Sequence, residues 1–498
     1  MIHNMIHDVV IIGAGPAGLF AAYKLHELDR SLKVAIIDKG KYYEARECPV
    51  RKGNDECRHC KDCELISGEG GAGLFSDGKI VFTLDTGTNI SYSQEEKPRI
   101  LEEIKSIFER FNGDFVYKKV SKTTRENEQR KFKKVELKID FYPVLHIGTL
   151  HLKNIMKNFL NYLRNQENSR FIVNTEVIGI RDREGVIKNV LIKSKNGDVK
   201  EASILGRNVI FAMGKEGSFS LTQWLKEKGL KIKGNRCYFG VRIELPTKIF
   251  KRLFDLSPNP KIHRYYDDGS HIKTHCFCKN GQILLLKYYG LPLVGGHTYE
   301  MNDFGPKNPK EQMTNFAVLL GIEMDYPEII ERSFQIMRQI QEITGGYLLV
   351  QRMHDFLLKV PSPSDIIDDR IKNIARPGNI ADLDLPYDFQ SKFIDFITQM
   401  NKIIPGVMDG NSLLYAPAIE WWMPKIETNA EMETKLKGIY VVGDGSGSSQ
   451  GIVQSMATAV IAAKSVFNKT YYEKTREEFL RKRYHPSLQR DLRENISS

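Results

Sequence analysis

An unbroken apolar run, Val9 to Ile12, precedes three closely spaced glycines and the stretch Ala17 to Leu28. The run predicts a strand buried on both faces of a parallel sheet, and the stretch after it predicts a helix packed on that strand. A second run, Val34 to Ile37, predicts the neighbouring parallel strand. Beyond it the pattern changes. Residues 40 to 90 are rich in Gly and Cys, and Leu101, Ile104, Ile107 and Phe108 then mark a helical face. A helix over Leu152 to Asn165, a strand over Phe171 to Ile180 and a strand running into a turn over Arg207 to Gly214 come next. From about 221 to 404 the glycine motifs stop, and short apolar runs alternate with helical patterns. Strand, glycine turn and an Ala-rich helix, Ile452 to Val466, return after Gly438.

This order predicts an α/β protein with a discontinuous Rossmann-type nucleotide-binding domain and an inserted α+β substrate domain. The expected divisions are 1–220, with a Cys-rich insertion at 45–66, then 221–404 for the substrate domain, 405–470 for the returning nucleotide-binding part and 471–498 for a charged tail.

The glycines carry a specific chemistry. In Gly13-Ala-Gly15-Pro16-Ala17-Gly18 the first glycine permits a tight turn, the second lets backbone approach a pyrophosphate, and the third lets helix and strand pack closely. The pyrophosphate belongs at the helix N-terminus, where free N–H groups and the helix dipole favour negative charge. Asp38, at the end of the second strand, is placed to accept hydrogen bonds from ribose hydroxyls.

Composition narrows the class. The 498 residues include 41% apolar side chains, enough for two or three domains, and no apolar run is long enough to span a bilayer. A net charge of +11 is compatible with an acidic substrate, nucleic acid or an anionic surface. The basic residues are mixed with Glu and form no nucleic-acid motif, so a solvated surface is the simpler reading. The N-terminal apolar stretch has no cleavage pattern after it, and the expected location is the cytoplasm.

The motif order resembles the FAD-dependent oxidoreductases of the glutathione-reductase-like class. The resemblance implies that Gly13, Gly15, Pro16, Ala17 and Gly18 hold the FAD pyrophosphate, that Asp38 with Lys39 meets the adenosine ribose, and that backbone around Val177 faces adenine. It matches Ala212 and Gly214 to a glycine-ended signature strand in which Met213 replaces the usual Thr. It assigns Gly443 and Asp444 to the ribityl chain, and it aims the helix starting at Gly451 and Ile452 at the pyrimidine edge of the flavin.

More narrowly, the sequence resembles a family usually called FAD-dependent dehydrogenases. Gly68-Glu-Gly70-Gly71-Ala-Gly73-Leu-Phe-Ser76-Asp-Gly-Lys79, His146-Ile-Gly148-Thr149, Gly240-Val-Arg242-Ile-Glu244 and Cys276-Phe-Cys278 carry that likeness. Gly70, Gly71, Gly73 and Ser76 are thereby implied at the flavin. Lys279-Asn280-Gly281 stands where the family has Pro-Gly-Gly.

Four of the seven cysteines cluster at Cys48, Cys57, Cys60 and Cys63. The Cys-x2-Cys-x2-Cys spacing is compatible with a [4Fe–4S] cluster, with zinc, or with unliganded or redox-labile thiols. Alternation on a strand aims Cys276 and Cys278 at one face and His275 at the other, which makes the two thiols and Arg242 candidate catalytic groups or ordinary core residues. The expected function is transfer of a hydride or electrons between a small organic substrate and FAD, with NAD(P)H docking transiently, an electron carrier or oxygen as the second partner. The alternatives are an FAD-dependent RNA or cofactor modification enzyme and an FAD-containing redox sensor.

Overall fold

The computed structural model describes residues 5–52, 56–76, 78–112, 119–183, 187–195, 201–298, 312–386 and 388–484. Two sheets organise the chain. In the first, Ile6–Ile12 lies between Val34–Ile37 and Glu201–Phe211, all parallel, with Ser169–Ile172 beyond Val34–Ile37. Ile439–Val441 also pairs in parallel with Glu201–Phe211, so the late strand does return to the early sheet. Ile187–Ser194 and Thr175–Arg183 complete it as antiparallel neighbours. Alternation sends Val9 and Ile11 into one apolar cluster and Val10 and Ile12 into another, so the sheet is covered on both faces. The helices Pro16–Leu28 and Ile452–Tyr484 pack against each other.

The second sheet has eight strands. Asn235–Pro246 runs antiparallel between Leu413–Glu420 and Met313–Met324, and His271–Cys278, Lys261–Tyr265 and Lys138–Asp140 extend it to one side. One face is apolar, with Phe239, Val241 and Ile243 opposite Leu320, Val318 and Phe316, and with Ile272 and Ile262 farther along, all fully buried. Its other face is rich in cations.

Several boundaries differ from the sequence reading. Leu413–Glu420 lies within 405–470, yet it is a central strand of the second sheet, because seven of its eight residues are buried and need sheet on both edges. Lys138–Asp140, from the first division, forms that sheet's far edge. Phe171 to Ile180 is two strands, Ser169–Ile172 and Thr175–Arg183, separated where Asn174 adopts φ +50°. The last helix continues past Val466 to Tyr484, into the expected tail, whose remainder, 485–498, lies outside the described residues.

Candidate active site

A cleft of about 1410 Å³ runs between the two sheets. On the first sheet's side it is lined by Gly13, Gly15, Pro16, Ala17, Asp38 and Lys39. The helix Pro16–Leu28 begins at Gly15 with no side-chain cap and no acid in its first turn, so its leading N–H groups remain available to an anion. A Cβ on Gly18 would stand 1.9 Å from the Gly13 carbonyl oxygen, whereas one on Gly15 would meet Gly71 Cα at 3.8 Å. Gly18 is thus fixed by packing, and Gly15 keeps the cleft floor open. One oxygen of Asp38 accepts the Ala14 N–H at 2.8 Å and the other accepts the Gly40 N–H at 2.8 Å. Each carboxylate oxygen keeps lone-pair capacity for a sugar hydroxyl.

The glycine-rich loop closes over this floor. Gly70 donates to the Ala14 carbonyl at 2.8 Å, and Gly71, Gly73 and Ser76 line the cleft. Arg46, a residue with no motif around it, holds the loop. Its buried guanidinium donates to the Gly71 carbonyl at 3.0 Å and to the Glu64 carbonyl at 2.8 Å, and burial brings its pKa down to about 10. Val177, Ala212, Gly214, Gly443, Asp444, Gly451 and Ile452 also line the cleft, whereas Gly70 is not among the lining residues and serves as the N-cap of the short helix Gly71–Phe75. Asp444 accepts the Ser455 hydroxyl at 2.7 Å and the Gly451 N–H at 3.3 Å, and burial pushes its pKa up to about 6. An open helix N-terminus, an acid aimed at a sugar position and close-packed glycines fit an extended dinucleotide such as FAD.

The second sheet supplies the opposite wall. Lys261, Lys273, His275 and Cys276 line it, and Lys79, from the short strand Lys79–Val81 outside that sheet, lines the cleft beside them. Lys79 lies 3.6 Å from both the Cys276 and Cys278 sulfurs, which are 4.0 Å apart, and it donates to the Phe277 carbonyl. Arg242 does not face the cleft; buried, it donates to Asn315 Oδ1 at 2.6 Å, the Cys276 carbonyl at 2.8 Å and Cys278 Sγ at 3.0 Å. Cys278 is likewise buried behind the wall, and burial raises its thiol well above the usual range. Of the three catalytic candidates, Cys276 alone is a cleft residue.

Strict alternation puts His275 on the opposite face from Cys276, yet the two share the cleft. Cys276 takes φ +51°, and the pairing register shifts between His275 and Cys278, so a bulge breaks the alternation. Burial, then the charges of Lys261 and Lys273, hold His275 well below the ordinary imidazole range, which keeps it neutral. Its Nε2 lies 3.9 Å from Glu420, whose carboxylate pairs with Lys215 at 2.5 Å. Glu244 does not pair with Arg242; it accepts the Tyr415 hydroxyl at 3.0 Å and pairs with Arg370 at 3.1 Å.

Among the described residues no group of three or more His, Cys, Asp or Glu side chains is placed to hold an ion, and that includes Cys48, Cys57, Cys60 and Cys63. Cys48, Cys57 and Cys63 pack on the apolar core, while Cys60 lines the cleft. Ion pairs fix the segment instead, with Asp62 bridging Lys39 at 3.3 Å and Lys195, and Glu64 taking Lys41 at 2.5 Å.

Residues 7–222 match the family model of the pyridine nucleotide-disulphide oxidoreductases. The protein is an FAD-dependent oxidoreductase. An uncharacterized protein of Clostridium beijerinckii is 22% identical to this flavoenzyme over 481 residues, covering 92% of this chain and 80% of the relative. Among solved structures, a flavoprotein/dehydrogenase from Cytophaga hutchinsonii covers 94% of this chain and 79% of its own at 11% identity, with a TM-score of 0.39. Glycine oxidase from Geobacillus kaustophilus covers 93% and 95% at 12% identity, with a TM-score of 0.36. Neither likeness is close enough to bear on the flavoenzyme's substrate. Among the described residues no helix is long and apolar enough to cross a membrane.

Arg46, Lys261, Lys273 and the Lys215–Glu420 pair have no motif to mark them. For the two sheet lysines a signal exists in Lys261-Ile-His263 and His271-Ile-Lys273-Thr-His275, where basic residues alternate with apolar or small ones.

Proposed function

We propose that the flavoenzyme moves two electrons between FAD and a small organic substrate seated against the second sheet. The observation that carries this reading is a single cleft bounded by the nucleotide cradle on one side and by His275, Cys276 and the lysines on the other. Its volume exceeds the roughly 300–1,000 Å³ of a pocket for one drug-sized ligand, which leaves space for a second molecule beside the cofactor.

FAD supplies the two-electron chemistry when bound. The chain binds, orients and handles protons. Asp38 and the N-terminus of Pro16–Leu28 hold the adenosine and pyrophosphate, and the N-terminus of Ile452–Tyr484 favours negative charge at the cleft. On the substrate wall His275 stays neutral, with Cys276 beside it, and Lys273, brought down to about 7 by burial, is a group there able to accept or release a proton near neutrality. Transient docking of NAD(P)H at the open side of the cleft, or a separate electron carrier, closes the cycle.

The test is anaerobic mixing of the flavin-loaded protein with NADH, with NADPH and with a reduced one-electron carrier. Bleaching of the flavin by one of these, reversed on adding oxidised organic substrates, is the expected result. Bound flavin that none of them reduces, while dithionite does, contradicts a catalytic role.

A further inference from the structure

We propose that the cleft-facing side of the second sheet binds a small organic oxyanion, a carboxylate or phosphate ester, between the ammonium groups of Lys261 and Lys273. The inference rests on the flavin reading of the same cleft and names the class of substrate that reading leaves open.

The placement comes from strand pairing. His263 stands opposite Lys273 in the antiparallel pair Lys261–Tyr265 and His271–Cys278, so the two-residue period puts Lys261, His263, Lys273 and His275 on one side. Ile262 and Ile272, on the other side, are fully buried in the core. Core packing therefore fixes the direction of both lysines. Each lines the cleft rather than the outer surface.

The charge there is uncompensated. Two other cations of the cleft are matched, Lys39 by Glu216 at 3.0 Å and Lys215 by Glu420 at 2.5 Å. Neither Lys261 nor Lys273 has an ion pair among the described residues; Glu420, already engaged by Lys215 and Gln450, acts on both from a distance. Like charges on neighbouring strands repel, and burying unpaired cations is costly. Lys273 rests over the Tyr238 ring at 3.4 Å, which holds its ammonium in place without neutralising it. Burial, with repulsion from Lys79, brings Lys261 down to about 8, and burial, with repulsion from Lys261, brings Lys273 down to about 7. An oxyanion between them satisfies both groups and draws protons back onto them.

The FAD pyrophosphate is the competing occupant, and it has its own seat at the helix N-terminus behind Gly15. Calorimetric titration of the flavin-loaded protein at pH 8 separates the two, with malonate and inorganic phosphate as oxyanion probes and malonamide as the neutral counterpart of malonate. We expect saturable binding of at least one oxyanion with proton uptake, at least tenfold weaker binding of malonamide, and at least tenfold loss in Lys273→Met and Lys261→Met with flavin content unchanged. Lys273→Arg restores binding, which separates lost charge from lost folding. Preference for malonate identifies the carboxylate source, and preference for phosphate the ester. Equal binding of malonamide, absence of binding by both oxyanions, or loss of flavin from the methionine variants overturns the proposal. Protein that takes up no FAD yet binds malonate leaves the anion site standing and defeats the flavin reading instead.

Discussion

Lys79 reaches from the end of the glycine-rich loop to within 3.6 Å of the Cys276 sulfur, and in doing so fastens the nucleotide side of the cleft to the substrate wall. It also donates to the Phe277 carbonyl, so the contact is a charge-assisted hydrogen bond as well as a thiol contact. Lys79→Met removes the donor and leaves that carbonyl to be satisfied otherwise. Such a bond is worth about 1.5–3 kcal/mol, and a loss of that order in urea unfolding is expected while flavin is retained. Unchanged stability contradicts the clamp.

Gly15 and Gly18 differ in what a side chain would meet. Gly15→Val finds only the Gly71 Cα at 3.8 Å, so the flavin-free protein folds, but the branched side chain occupies the pyrophosphate seat. Gly18→Val places carbon 1.9 Å from the Gly13 oxygen and damages the fold itself. Circular dichroism melts with flavin extraction check both: Gly15→Val should melt near wild-type apoprotein and carry no flavin, and Gly18→Val should be destabilised by several kcal/mol. Normal flavin content in Gly15→Val refutes the seat.

Asp444 predicts a pH dependence. Its carboxyl rises from 3.8 to about 6, mainly through burial. Between those values the folded chain keeps a proton that the unfolded chain has released, so this group's contribution to stability declines as pH rises through that window and stays at its minimum above it. Asp444→Asn should therefore stabilise flavin-free protein at pH 7.5 by on the order of 1–3 kcal/mol and have little effect near pH 4. Urea unfolding at the two pH values measures this. An equal effect at both contradicts it.

What the sequence disclosed was local. Gly13 to Gly18 and Asp38 lie on one strand–helix–strand unit, so spacing alone predicts that they meet. Lys261, Lys273 and Lys79 meet only because strands from separate segments pair and pack, and short-range periodicity carries no information about that pairing. Cys276 departs from alternation for a subtler reason: the bulge there needs a left-handed residue, and Cys gives no sign of one. Leu413–Glu420 reads as a buried strand from its composition, but nothing in it says which sheet it joins. The four clustered cysteines show the converse, since metal-like spacing accompanies a segment fixed by Lys39, Lys41 and Lys195.

The presence of FAD in the cleft is tested most directly by an anaerobic absorption spectrum of freshly purified protein, with extraction and identification of the flavin. Flavin bands with stoichiometric FAD, released by denaturation and lost in Gly15→Val, are expected. A colourless protein that fails to take up added FAD would contradict the assignment.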